Sequence, residues 1–270
     1  MVRELLKKYG IQGGYHDQHF LVDERILDRI VEAAHIDDEE TVLEIGAGIG
    51  NLTKLLADRA RKIIAIELDP RLVEVLNERF KTAENVQIIQ GDVLDVVFPK
   101  FDKVVANLPY SISSEITFKL FKHRFKLGIL MYQYEFARRL VASPNSKDYS
   151  RLSVNTRYFA DASIIMTVPK SAFSPPPEVH SAVVELVPRP ALFEVVDEDF
   201  FSRFVTAVFS QRRKKLKNSI LKTSHLLGVN NLKQIVEQLP EELVDKRPEN
   251  LEPCELAEIA NQIVSLKETI

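Results

Sequence analysis

The stretch Asn107-Leu108-Pro109-Tyr110 has the residue types for one reaction, methylation of an exocyclic amine on a flat base. Such an amine is a poor nucleophile, because its lone pair is delocalised into the ring. The Asn107 side-chain oxygen and the Leu108 carbonyl can each accept one of its N–H hydrogens, turning the lone pair toward a methyl donor. Pro109 holds Leu108 toward an extended geometry and so helps to aim that carbonyl. Tyr110 offers a ring on which the base can stack. Taken alone, four residues also fit a strand-to-loop turn with an aromatic plug, so the surrounding elements carry the decision.

Lys103-Val104-Val105-Ala106 reads as a buried strand that delivers Asn107 at its carboxyl end, where open α/β sheets bind ligands. Three earlier strands are predicted at 41–45, 62–66 and 86–90, with helices at 51–59 and 71–80. The first strand runs into Gly46-Ala47-Gly48-Ile49-Gly50, a turn that lets the backbone approach a ligand and points helix N–H groups at it. The dinucleotide fingerprint requires a small residue where Asn51 stands, so this spacing argues against a nicotinamide cofactor. Glu67 ends the second strand, about 20 residues past the glycines, where it can accept from ribose hydroxyls. Asp92 ends the third and can accept from an adenine amine. Each acid alone fits a helix cap or a turn; the set, at successive strand ends beside a glycine turn, points to a site.

Further along, strands are expected at 127–132, 162–168 and 179–187, with helices at 24–34, 113–123 and 134–141. The stiff segment Ala172-Phe173-Ser174-Pro175-Pro176-Pro177 fixes Phe173, either as core or as a second aromatic face for a base. His16 and His19 are three apart with no third ligand nearby, so no metal site is expected. Pro188-Arg189-Pro190 reads as a linker, and the pattern beyond it is helical. This gives two domains, 1–187 as a doubly wound α/β domain and 191–270 as a small all-α domain.

At 270 residues the chain can bury a large core. No apolar run reaches the 18 residues of a spanning helix, and the single Cys254 excludes an intramolecular disulfide; a cytoplasmic protein is expected. The net charge of −3 conceals an asymmetry. Residues 1–110 carry 14 Lys and Arg against 20 Asp and Glu, whereas residues 111–236 carry 19 against 10. The densest run is Gln211-Arg212-Arg213-Lys214-Lys215-Leu216-Lys217-Asn218. With Lys119, Lys122, Arg138 and Arg139, these side chains are candidates for holding the phosphates of a polyanion.

Together these pieces resemble the KsgA/Dim family of small-subunit ribosomal RNA adenine dimethyltransferases, over essentially the whole chain. The matching motifs are Gln18-His19-Phe20-Leu21, Glu44-Ile45-Gly46-Ala47-Gly48-Ile49-Gly50, Glu67, Gly91-Asp92, Asn107-Leu108-Pro109-Tyr110, the Phe173 segment and Phe209-Ser210-Gln211-Arg212-Arg213-Lys214. The stretch Leu130-Met131-Tyr132-Gln133-Tyr134-Glu135-Phe136-Ala137 looks closer to archaeal members. The resemblance implies a Rossmann-like class I methyltransferase domain with S-adenosylmethionine as donor. His19 and Leu21 would then line the donor's methionine end, Gly46 its floor, Glu67 its ribose and Asp92 its adenine amine. Asn107 would stand between donor and acceptor. The family often has Asn where His19 stands; either side chain can donate a hydrogen bond. Arg212, Arg213, Lys214 and Lys215 would contact RNA, with Tyr110 and Phe173 on the base. The implied substrate is two adjacent adenosines near the 3′ end of small-subunit RNA, each dimethylated, by a monomer acting in ribosome biogenesis. Alternatives are a large-subunit RNA methyltransferase of the antibiotic-resistance type, which the basic run and the C-terminal domain disfavour, and a non-catalytic assembly or transcription factor on the same fold.

Overall fold

The computed structural model describes residues 2–11 and 18–267; His16 lies outside them. The described strands are β1 (Phe20–Leu21), β2 (Thr41–Ile45), β3 (Lys62–Glu67), β4 (Val86–Gln90), β5 (Lys103–Asn107), β6 (Leu127–Gln133), β7 (Ala160–Val168), β8 (Phe173–Ser174) and β9 (Ser181–Pro188). Seven form one sheet in the order β4-β3-β2-β5-β6-β9-β7, and β1 pairs antiparallel with β8. From β4 to β6 all pairings are parallel; β9 runs antiparallel to β6. The chain lays β3 and β4 to one side of β2, then returns to place β5 and β6 on the other. That reversal between β2 and β5 is the switch point of a doubly wound sheet, and it opens the crevice in which such folds bind ligands. The architecture is the Rossmann-like α/β class expected.

Because β2 and β5 are central, residues 41–45 and 103–106 are buried throughout, Glu44 and Lys103 among them. Two intervening helices are α1 (Val2–Lys8) and α2 (Glu24–Ala33), followed by α3 (Asn51–Ala57), α4 (Pro70–Arg79) and α5 (Ser113–Phe121). Asp23 caps α2 by accepting from Arg25 N–H, while Asp69 caps α4 ahead of Pro70 at its first position. At the opposite end of the sheet from the glycine turn, Glu40 accepts from Lys103 at 2.8 Å and Lys126 at 2.9 Å. These ion pairs staple the starts of β2, β5 and β6.

The chain divides into two compact units, 1–137 with 162–188, and 138–161 with 189–270. The linear boundary near residue 187 is therefore corrected. Helix α6 (Tyr134–Val141) leads out of the first unit, and α7 (Arg151–Phe159), which the periodicity did not reveal, joins the helical unit. The reason is apolar: Ala142, Tyr149 and Val154 belong to the same buried cluster as Phe200, Phe204 and Leu256. That unit is completed by α8 (Glu198–Phe209), α9 (Leu216–Lys222), α10 (Ser224–Leu227), α11 (Leu232–Val236), α12 (Glu241–Val244) and α13 (Pro253–Lys267). Arg189 is no free linker residue: it donates to the Arg157 carbonyl and pairs with Asp161 at 2.8 Å. Among the described residues no helix is long and apolar enough to cross a membrane.

Candidate active site

A cavity of about 290 Å³ opens in the first unit at the carboxyl ends of the parallel strands. Its wall comes from the turn after β2, the tip of β3, the turn after β4 and the segment 107–112 after β5, with residues 18–21 joining from β1 and the residues before it. His19, Leu21, Gly46, Glu67, Asp92, Asn107, Leu108 and Tyr110 all line it. The topology thus brings together residues spread over 92 positions.

The turn after β2 depends on glycine. Gly50, at φ +81°, caps α3, and a Cβ there would fall 2.5 Å from the Phe80 ring; no other residue fits. Gly48 N–H donates to Glu67 Oε2 at 2.8 Å, and the N–H groups of Leu68 and Asp69 donate to Oε1 at 2.9 and 3.0 Å. Three of the four lone-pair sites of this carboxylate are filled, leaving Oε2 able to accept once more. Burial pushes the Glu67 carboxyl up, against those three N–H groups.

Glu44, on β2 behind this turn, also lines the cavity, is 1% exposed, and has one oxygen, Oε2, with no hydrogen-bond partner. Burial pushes its pKa up to about 8; Thr53 opposes the rise and neighbouring Glu67 adds to it. Asp69 is the contrast: Arg71 at 2.7 Å and Gln18 at 3.2 Å hold it ionised, at about 2. Asp92 accepts from Leu94 N–H through Oδ1 at 2.8 Å, which leaves Oδ2 for a ligand.

On the acceptor side, Asn107 Nδ2 donates to the His19 carbonyl at 3.1 Å, so the amide is anchored by its nitrogen. No donor among the described residues engages its oxygen, the atom the sequence reading requires. The Tyr110 hydroxyl is 2.6 Å from Ser181 Oγ on β9, which fixes a half-buried ring. Burial raises the Tyr110 pKa against that hydrogen bond, so it stays a neutral phenol. His19 donates from Nδ1 to the Pro175 carbonyl at 2.9 Å, and its ring lies 6.1 Å from that of Tyr110 at 27°. Ser181 carried no recognisable sequence signal; its role appears only through β9 pairing beside β6.

Several expected contacts are corrected. Phe173 is 1% exposed, lies in the core with Leu27 and Ile30, and does not line the cavity. Its strand β8 pairs Phe173 with Leu21, so its place is that of a core residue. The basic run is divided. Arg212 donates to the carbonyls of Lys147 and Tyr149 at 3.1 and 3.0 Å and pairs with Glu249, so it braces a loop. Lys215 and Lys217 share Asp245. Arg213 and Lys214 are exposed and have no acidic partner among the described residues; Lys214 instead lies against Lys222, a like charge. Arg138 pairs with Asp148, and Lys119 is fully engaged with backbone carbonyls. Among the described residues no group of three or more His, Cys, Asp or Glu is placed to hold a metal ion.

Comparison with known proteins agrees with this geometry. A "Probable ribosomal RNA small subunit methyltransferase A" of Methanosarcina mazei is 66% identical over 99% of this chain and 98% of its own length. The crystal structure of a dimethyladenosine transferase from Plasmodium falciparum superposes with a TM-score of 0.79 at 33% identity, covering 93% of this chain and 98% of that one. The crystal structure of the 23S rRNA methyltransferase ErmE superposes with a TM-score of 0.67 at 26% identity, covering 91% and 99%. The family described as ribosomal RNA adenine dimethylase matches residues 15–251, and the chain belongs to that family of methyltransferases.

Proposed function

We propose that the protein dimethylates the exocyclic N6 of two adjacent adenosines near the 3′ end of small-subunit ribosomal RNA, as a cytoplasmic monomer acting in ribosome biogenesis. The observation that carries the reading is Asn107: its nitrogen is tied to His19, its oxygen has no partner, and Leu108 C=O and Tyr110 share its wall. Asn107 Oδ1 and the Leu108 carbonyl accept the two N6 hydrogens and turn the lone pair out of conjugation, while Tyr110, steadied by Ser181, stacks on the ring. Catalysis is mostly positioning. The target base leaves its own stack to arrive there, at a cost of a few kcal/mol.

The cavity fits S-adenosylmethionine in ways the side chains themselves display. A glycine turn leaves space where a Cβ would intrude, Glu67 keeps one acceptor site, Asp92 keeps one oxygen, and no Lys or Arg among the described residues lines the wall. His19, Leu21, Gly46, Glu67, Asp92 and Asn107 would hold it. Bound there, it supplies an electrophilic methyl group. On the RNA side, Arg213 and Lys214 are the members of the basic run free to meet phosphates.

The helical unit does not separate this reading from large-subunit methylation, since ErmE aligns over 91% of the chain; the small-subunit assignment rests on the names of relatives such as the M. mazei protein. Methyl transfer from labelled S-adenosylmethionine to unmethylated small and large subunits tests it. Dimethyladenosine should form on small subunits and vanish with Asn107→Ala while donor binding persists. Labelling of large subunits alone would refute the reading, and tight binding without transfer would leave an assembly factor.

A further inference from the structure

Lys119 stands on α5, the helix that begins just beyond the Tyr110 turn, and its ammonium group is committed to one short segment. It donates to the carbonyls of Val93, Leu94 and Val96 at 2.7, 2.8 and 2.6 Å, which uses all three of its N–H groups. It also lies 4.5 Å from the centroid of the Phe98 ring. The same segment is closed from the other side by Asp92, whose carboxylate accepts from Leu94 N–H and whose carbonyl accepts from the N–H groups of Asp95 and Val96 at 3.0 and 2.9 Å. Val93 and Phe98 are buried at either end of this turn, while between them Asp95 is exposed and Val97 is 88% exposed. The exposed middle of the turn is held by the three hydrogen bonds from one cation, in addition to the packing at its ends. The charged groups facing Lys119 are Asp92, Asp95 and His123.

We propose that Lys119 is a positioning residue for the methyl donor. It clamps the turn 92–96 so that Asp92 presents its remaining oxygen at the cavity wall, and it ties that turn to the helix that follows the Asn107–Tyr110 loop. The inference rests on the assignment of Asp92 to the donor's adenine amine. Its chemistry is selective for that amine: a donor nucleoside bearing a carbonyl at the same position gains nothing from Asp92 and so loses little when the clamp goes.

The test measures affinities of the full chain for S-adenosylhomocysteine and S-inosylhomocysteine by calorimetry, in wild type and in Lys119→Met, which keeps the stem and the ring contact. Wild type should prefer the adenosyl ligand. Lys119→Met should weaken that ligand by about tenfold, the size of one lost charged hydrogen bond, leave the inosyl ligand nearly unchanged, and raise amide hydrogen exchange at 94–96. Should the Met variant fail to fold, Lys119→Gln, with a single donor group, carries the same expectation. Asp92→Asn should abolish the preference, and adding Lys119→Met to it should change little further. A preference that survives in Lys119→Met, or additive losses in the double variant, overturns the role of Lys119 alone. Absence of any preference in wild type overturns the Asp92 assignment, and the clamp with it.

Discussion

Replacing Glu44 by Gln should stabilise the protein at alkaline pH and leave it unaltered in mild acid. The carboxyl is 1% exposed, one oxygen is unpartnered, and burial raises its pKa from 4.5 to about 8. Between those values the native state holds a proton that the unfolded chain has released, so stability falls as pH rises. The proton's contribution is complete below pH 4.5 and gone above pH 8. At 1.36 kcal/mol for each tenfold change, the whole excursion is about 5 kcal/mol. Gln fills the same space with no charge to desolvate. Urea unfolding from pH 5 to 9 should show wild type losing stability relative to Glu44→Gln, with the curves meeting near pH 5 and parting by several kcal/mol at pH 8.5. Parallel curves would refute the reasoning. The same carboxyl makes a prediction about ligands. A sulfonium in the cavity favours the ionised form, so S-adenosylmethionine should release more protons on binding near pH 7 than S-adenosylhomocysteine, read from the buffer dependence of the binding heat.

Glu40→Gln should act with the opposite sign. The Glu40 carboxyl is buried, but its Asp37 N–H, Lys103 and Lys126 partners prevail and hold it at about 2. Its contribution of about 3 kcal/mol is present above pH 4.5 and lost as pH falls toward 2, so the variant should be weaker at pH 7 and show a flatter acid limb; an unchanged acid midpoint would count against it. Phe173→Ala should destabilise by about 3–5 kcal/mol, the usual cost of emptying a buried aromatic site, while Tyr110→Ala should spare the urea midpoint and lose methyl transfer. A stable but inactive Phe173→Leu would restore Phe173 to the substrate. Arg213→Ala with Lys214→Ala should weaken RNA binding and reduce the slope of log affinity against log salt by about 1.5. Arg212→Ala should leave that slope alone and lower the melting temperature.

The residues of the cavity wall were legible because they are written at strand ends. Glu67, Asp92 and Asn107 each follow a short apolar run, and parallel pairing carries them to one edge of the sheet. Phe173 stayed open between core and base contact for a related reason: a strand of two residues has no period, so nothing local says which face its ring shows. Helix α7 was missed because Arg151-Leu152-Ser153-Val154-Asn155-Thr156 is poor in strong helix formers. It is set by Ser153 Oγ, which accepts from Ser150 N–H at 3.0 Å, and by its tertiary contacts. Lys119 and Arg212 looked like phosphate ligands because charge is visible in a sequence, whereas the backbone carbonyls that engage them, beside Glu249 for Arg212, are carried by every residue.

That distinction changes what the charge asymmetry means. The cavity wall carries Glu44, Glu67, Asp69 and Asp92 and, among the described residues, no Lys or Arg, which suits a cationic donor and disfavours phosphate. The first unit as a whole carries 19 Lys and Arg against 24 Asp and Glu; the second carries 17 against 15. Much of the second unit's positive charge is spent on its own loops and on Asp245, so the surface left for a polyanion is narrower than the composition implies, centred on Arg213, Lys214 and Lys222. An acidic pocket then filters the substrate by charge. On the proposed reading a nucleotide's phosphates are turned away from it, and the neutral base gains by entering between Asn107, Leu108 and Tyr110. Neutralising one wall acid that is ionised in the free protein, as in Asp69→Asn, should therefore weaken the donor and relieve the repulsion of nucleotides at once. Binding of adenosine monophosphate relative to adenosine should rise in that variant, and an unchanged ratio would show that the pocket excludes phosphate by shape.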